Sequence, residues 1–271
     1  GLLLCLKNLA LSQKIIDLRL PYLPQNVSRF YPVSALVISG LFALILIRPL
    51  VAYGYSSFGT QAYENGDVNR SIQLYNLASW WNPGKTQYHS NLAAALFRKF
   101  QENEDMDLAN DSTFELNYAR FLNPEDEKFT RRLGDVYSVL AFRTQIPEVR
   151  NDLYRLALRY YNQTMTLNPF QPRNYYEVGK IFLKMGDQKT AKDYFFQASK
   201  IEPNYLLARF ALADLYTREG RLRDAIGEYI KILTTLKTYS KVTGLTPMEK
   251  EFLDVDEEKA RNLLKKLQGI I

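Results

Sequence analysis

Arg173, Lys180 and Lys184, with Tyr176 among them, recur at three- and four-residue intervals. On a helix they would form one basic stripe with an aromatic between its charges. Cations arrayed that way suit an acidic or phosphate-bearing partner, or else a solvated face. Residue types that make and break bonds are sparse. Cys5 is the one cysteine, which excludes an internal disulfide and any cysteine-built metal site. His89 is the one histidine, so two-histidine metal motifs are excluded. No acid or nucleophile is spaced to serve it, and a role in a helix interface is expected instead. The densest carboxylates lie in QENEDMDLAND, residues 101–111, which holds five acids but neither the glycine nor the terminal glutamate of an EF-hand loop. A solvated loop is expected there. With no glycine-rich phosphate loop and no nucleophile elbow, the sequence offers no catalytic residue, cofactor or metal site. A formal charge of +6 over 271 residues is modest, and no nucleic-acid partner is expected.

The elements that would carry the basic stripe are legible in the stretch from Pro172 to Pro203. Tyr175, Val178, Gly179 and Phe182 share one helical stripe, and Ala191, Phe195, Ala198 and Ile201 share a second. Gly186-Asp187 breaks the two. Gly and Ala stand where a large side chain would hold the helices apart. This pattern resembles the tetratricopeptide (TPR) repeat, with its 34-residue period and its Leu-Gly-x-x-Tyr, Gly, Ala, aromatic, Ala and Pro positions. A shift of 34 residues carries Gly179 to Ala213, Phe182 to Tyr216, Gly186 to Gly220, Ala191 to Ala225 and Phe195 to Tyr229.

The resemblance implies an all-α fold in which about five helical hairpins stack into a solenoid, because one hairpin cannot bury its own apolar face. The hairpins are read at 52–85, 86–126, 127–171, 172–205 and 206–239, within an array over 54–240. The first uses Tyr55, Phe58, Gly59 and Ala62, then Ser71, Tyr75 and Ala78. Trp81 belongs to its core, and Trp80 points outward. The second and third are longer than the period, around the acidic insertion and around Pro147. Residues 246–269 read as one C-terminal capping helix, with Thr246 as cap, Pro247 in its first turn and Glu249 three residues past the cap.

Ahead of the repeats, residues 33–53 are apolar enough to cross a bilayer, which needs about 20 helical residues. Arg48 would then extend to the headgroups, and Tyr53 and Tyr55 would sit at the interface. A buried helix or a signal peptide are the rival readings. Residues 1–32 read as a juxtamembrane segment, opening GLLLCLKNLAL. That opening fits the end of a membrane helix in a longer polypeptide, the edge of a fragment, or an ordinary amphipathic helix. From Lys7 to Arg29 stand four basic residues and one acid, which sets that flank toward the cytoplasm. The repeats would then face outward from a bacterial inner membrane.

In TPR families the first helices line the binding face. The resemblance therefore assigns a protein-partner groove to Arg131 and Asp135, to Arg173, Tyr176, Lys180 and Lys184, and to Phe210, Asp214 and Arg218. Ala94 and Asp135 stand where the carboxylate-holding, chaperone-binding subclass has asparagines, which disfavours that subclass. A membrane helix ending in LIRPLVA, followed by repeats and the junction NPGKTQYHSNLA, also resembles the C-terminal portion of O-antigen ligase or polymerase-type membrane proteins. That second resemblance implies an accessory region of a glycan-transferring enzyme and carries over no catalytic residue. The leading expectation is an outward-facing membrane scaffold in envelope assembly, with a cytosolic TPR adaptor as the remaining alternative.

Overall fold

The computed structural model describes residues 31–270, so the basic flank and the opening GLLLC segment lie outside the described residues. Helices dominate, and no strand occurs among the described residues. Two compact units divide at Val51 and Ala52.

The first unit contributes the beginning of α1 (Tyr31–Glu64), whose Leu36, Ile38, Phe42, Ile45 and Leu50 are all exposed. A soluble core helix of this composition would bury them. Residue 53, read as the end of the apolar span, falls inside this helix rather than at a break. No proline follows Pro49 before Glu64, and the chain first turns at Gly66, whose φ of 84° an L side chain rarely adopts.

The second unit is a row of antiparallel pairs. The last part of α1 pairs with α2 (Val68–Trp81), α3 (Thr86–Asn103) with α4 (Met106–Leu122), and α5 (Glu127–Arg143) with α6 (Pro147–Leu167). Then α7 (Pro172–Lys184) pairs with α8 (Gln188–Ile201), and α9 (Leu206–Arg218) with α10 (Leu222–Tyr239). Proline sets where second helices stop. Asn82, Asn123, Asn168 and Glu202 each precede a proline and take extended φ of −142°, −144°, −139° and −134°. Aspartate starts α2 and α8: the Asp67 and Asp187 side chains accept from the Arg70 and Thr190 amides.

Within a pair, an aromatic of the second helix lies over a small residue of the first. Gly59 faces Tyr75, Gly134 faces Tyr161, and Gly179 faces Phe195. Two of these rings reach past the glycine to the next side chain. The Tyr75 hydroxyl donates to Thr60 Oγ1 at 3.1 Å, and the Tyr161 hydroxyl donates to Asp135 Oδ1 at 2.6 Å.

The acidic insertion is not a loop. It lengthens the helices on both sides, to 18 and 17 residues against 13 and 14 in α7 and α8. Glu104 ends α3 in the left-handed region at φ 60°, and the Asp105 side chain caps α4 by accepting from Asp107 N. The C-terminal segment also departs from the reading. One helix over 246–269 is replaced by α11 (Pro247–Phe252) and α12 (Glu257–Gln268). Asp256 accepts from Lys259 N at 2.8 Å and so opens a new helix, with Glu257 and Glu258 in its first turn. Of the two, α12 seals the array: Ala260 and Leu267 are buried in one cluster with Ala225, Tyr229 and Ile232.

Tyr55 packs with Ala52, Ala78 and Tyr88, which suits its place in the first repeat. Phe58 is exposed, although its repeat-four counterpart Val178 is buried among Tyr154, Ala157 and Tyr161 of the preceding pair. The first pair has no such predecessor among the described residues. Trp80 is exposed and edge-on to Trp81, which packs against the Tyr88 cluster.

Candidate functional site

The first helices of four successive repeats, with Ser112 and Leu116 of α4, line an open cavity of about 490 Å³. Arg98, Arg131, Arg132 and Arg173 line it against a single carboxylate, Asp135, with Tyr63, Ala94 and Phe97 supplying apolar wall. Arg98, Arg132 and Arg173 each contact a residue of the preceding repeat. Arg98 lies 4.9 Å over the Tyr63 ring and donates to the Tyr63 carbonyl at 3.1 Å. Arg132 donates to the Ser90 carbonyl at 2.8 Å and to the Ser90 hydroxyl. Burial, and then the charge of adjacent Arg131, lower the Arg132 guanidinium below its usual value.

Asp135 is the hub. Its Oδ1 accepts from the buried Tyr161 hydroxyl, and its Oδ2 lies 3.2 Å from Arg131 Nη1 and 3.7 Å from Arg173 Nη2. Burial raises the Tyr161 hydroxyl well above its ordinary value, and the Asp135 charge adds to the shift. Burial would lower Arg173. The carboxylates of Asp135, Glu251 and Glu177 outweigh it and keep that guanidinium firmly charged.

Of the residues read as the groove, Arg131, Asp135 and Arg173 meet at this cavity. The rest do not join them. Tyr176 packs into the repeat interior, with ring centroids 5.6 Å from both Phe195 and Tyr205. Burial pushes its hydroxyl up to about 12. Lys180 pairs with Glu177 at 2.7 Å, and Lys184 lies over Phe142 at 4.7 Å, so the basic stripe is partly neutralised within its own face. Phe210 packs edge-on to Tyr229 beneath Lys259, and Asp214 and Arg218 form an exposed ion pair at 2.7 Å. Arg98 and Arg132 escaped the sequence reading. A signal for Arg98 existed, since it occupies in repeat two the position that Lys184 occupies in repeat four.

His89 is buried and does have an acid partner, contributed from 26 residues away by α4. Its Nδ1 lies 2.6 Å from Glu115 Oε2 and its Nε2 lies 2.9 Å from the Pro83 carbonyl. Both neighbours are acceptors, so the imidazolium satisfies both at once. Burial works against that charge, but the Glu115 and Pro83 contacts prevail and the imidazole titrates above its usual value. A raised native value stabilises the fold fully below the unfolded value of about 6.5, and the contribution is lost as pH climbs through the native value. The stability gap between wild type and His89→Gln should therefore shrink as denaturation is repeated from about pH 6 to about pH 8. A gap independent of pH contradicts the ion pair.

A tetratricopeptide-repeat model matches residues 172–205. The chain is 28% identical over 181 residues to a TPR repeat-containing protein of Methanocaldococcus jannaschii, covering 66% of this chain and 30% of that protein. It thus spans under a third of that relative's length. A thermophilic TPR protein of Thermus thermophilus superposes with a TM-score of 0.57 at 19% identity, over 80% of this chain and 98% of that one. The pilF protein of Pseudomonas aeruginosa superposes with a TM-score of 0.53 at 17% identity, over 82% of this chain and 94% of its own. At such identities the solved structures speak for the fold alone. The repeated pairs, the small-residue seams and these likenesses agree: the chain carries a tetratricopeptide repeat at residues 172–205 within an all-helical solenoid of like pairs, a fold suited to protein–protein interaction.

Proposed function

We propose that this protein is a membrane-anchored scaffold that holds an acidic segment of a protein partner on the first-helix face of its repeats. The observation that carries the proposal is the convergence of Arg98, Arg131, Arg132 and Arg173 on one cavity with Asp135 as the only lining carboxylate. An anionic side chain entering there meets preorganised, planar donors rather than mobile lysines. The exposed apolar residues of α1 support anchoring, since a bilayer would cover what no other described element does. The Lys/Arg excess before the span supports an outward-facing array. Envelope assembly is the setting that this order of parts suits.

Peptides graded in Asp and Glu content provide the test, offered to the full chain in detergent. Affinity should rise with acidic content and fall at least about tenfold in the Arg98→Glu/Arg131→Glu variant, the scale of roughly 1.4 kcal/mol or more. Equal binding by both chains removes the cavity from the account. Alkaline carbonate washing of membranes should leave the chain in the pellet, and protease added to spheroplasts with an intact inner membrane should reach the repeats. Release into the supernatant favours the cytosolic adaptor.

A further inference from the structure

The C-terminal segment does more than close the array. The α11 residue Glu251 reaches across 78 positions to Arg173, its Oε1 accepting from Nη1 at 2.9 Å. The neighbouring Phe252 stands edge-on to Tyr205, centroids 5.6 Å apart, beside Ala198 and Ala208. Arg173 also lines the arginine cavity, so the chain already places one of its own carboxylates on that cationic set.

The grip is light. No residue of this six-residue helix is buried, whereas α12 anchors itself through Ala260 and Leu267. The Arg173 and Glu251 side chains remain 34% and 41% exposed, and ion pairs that wet hold weakly. On one side the segment is joined through Gly244, at φ 81°, and on the other through the break before Asp256. Its apolar contacts are partial ones, Phe252 against the Tyr205 cluster and Leu253, just past its end, against the terminal cluster. Beside them it offers a carboxylate to an arginine fork and an aromatic ring to an aromatic shelf.

We infer that α11 is a resident, displaceable ligand of the first-helix face, and that the partner displacing it presents an acidic residue followed directly by an aromatic one. The inference rests on the reading of that face as the partner surface and specifies which peptide chemistry it takes. Being tethered, the resident segment competes at a local concentration in the millimolar range, so it weakens a free competitor without any new contact.

The test uses the full chain in detergent and a labelled peptide of residues 245–254. Glu251→Ala/Phe252→Ala in the protein empties the seat, and this variant should bind the peptide at least about tenfold more tightly than wild type does. The same peptide with alanine in place of Glu251 and Phe252 should not bind the emptied chain. Equal binding by wild-type and emptied chains, or no binding to a folded emptied chain, overturns the inference. Where circular dichroism finds the double variant unfolded, Glu251→Gln decides, with a severalfold gain supporting the inference and none overturning it. Failure here while graded acidic peptides still depend on Arg98 and Arg131 sinks this inference alone. Failure of both sinks the groove as well.

Discussion

Gly179→Val should lower the stability of the full chain by about 3 kcal/mol, at the upper end of what overpacking a core costs. A Cβ at residue 179 would lie 2.6 Å from Cε1 and 2.7 Å from Cδ1 of Phe195. That ring is fully buried and stacked among Ala191, Leu212 and Leu215, so it has nowhere to retreat. Valine adds two methyl groups to the same clash and is stiff at χ1. Gly179→Ala should cost less, because better helix propensity returns up to about 1 kcal/mol. Gly227 is the control. Nothing lies within 4 Å of a Cβ built there, so Gly227→Ala should stabilise by up to about 1 kcal/mol. Chemical denaturation of the three variants checks this. Adding Phe195→Leu to Gly179→Ala should recover part of the loss; if it recovers none, the seam between α7 and α8 is not what the glycine serves.

Asp135→Ala is the second large effect, expected at about 2–4 kcal/mol. It leaves the buried Tyr161 hydroxyl without its acceptor and strips a shared counter-charge from Arg131 and Arg173. Adding Tyr161→Phe should return roughly 1 kcal/mol by removing the stranded hydroxyl. The fourth repeat already uses that solution, with Phe195 as the ring and Lys180 after the glycine. Acidic peptides should bind the folded fraction of Asp135→Ala at least as tightly as wild type, because the cavity loses its one carboxylate. Weaker binding together with weaker stability would make Asp135 part of the recognition surface instead.

The repeat architecture is readable because its determinants are local and recur. A three-and-four spacing places residues on one stripe, proline ends α2, α4, α6 and α8, and aspartate starts α2, α4 and α8. The groove is only half readable. Arg131, Asp135 and Arg173 stand at non-signature positions of first helices, and they do meet. Tyr176 stands at a similar position and turns inward, since whether an aromatic there faces a partner or Tyr205 depends on the next repeat's packing. Arg132, next to Arg131, carries no mark in the repeat pattern, and Ser90 of the preceding repeat turns it into the cavity.

The sequence alone determined the pairing of helices, the glycine and alanine seams, and an apolar stretch ahead of the first pair, because periodicity and backbone constraint act over a few residues. Only the tertiary structure decided where charge gathers. His89 found Glu115, Asp135 found Tyr161, and Arg173 found Glu251 through contacts 26, 26 and 78 residues apart. Such meetings follow from how one pair settles on the next and how the C-terminal segment folds back. Spacing along a single helix carries no information about either.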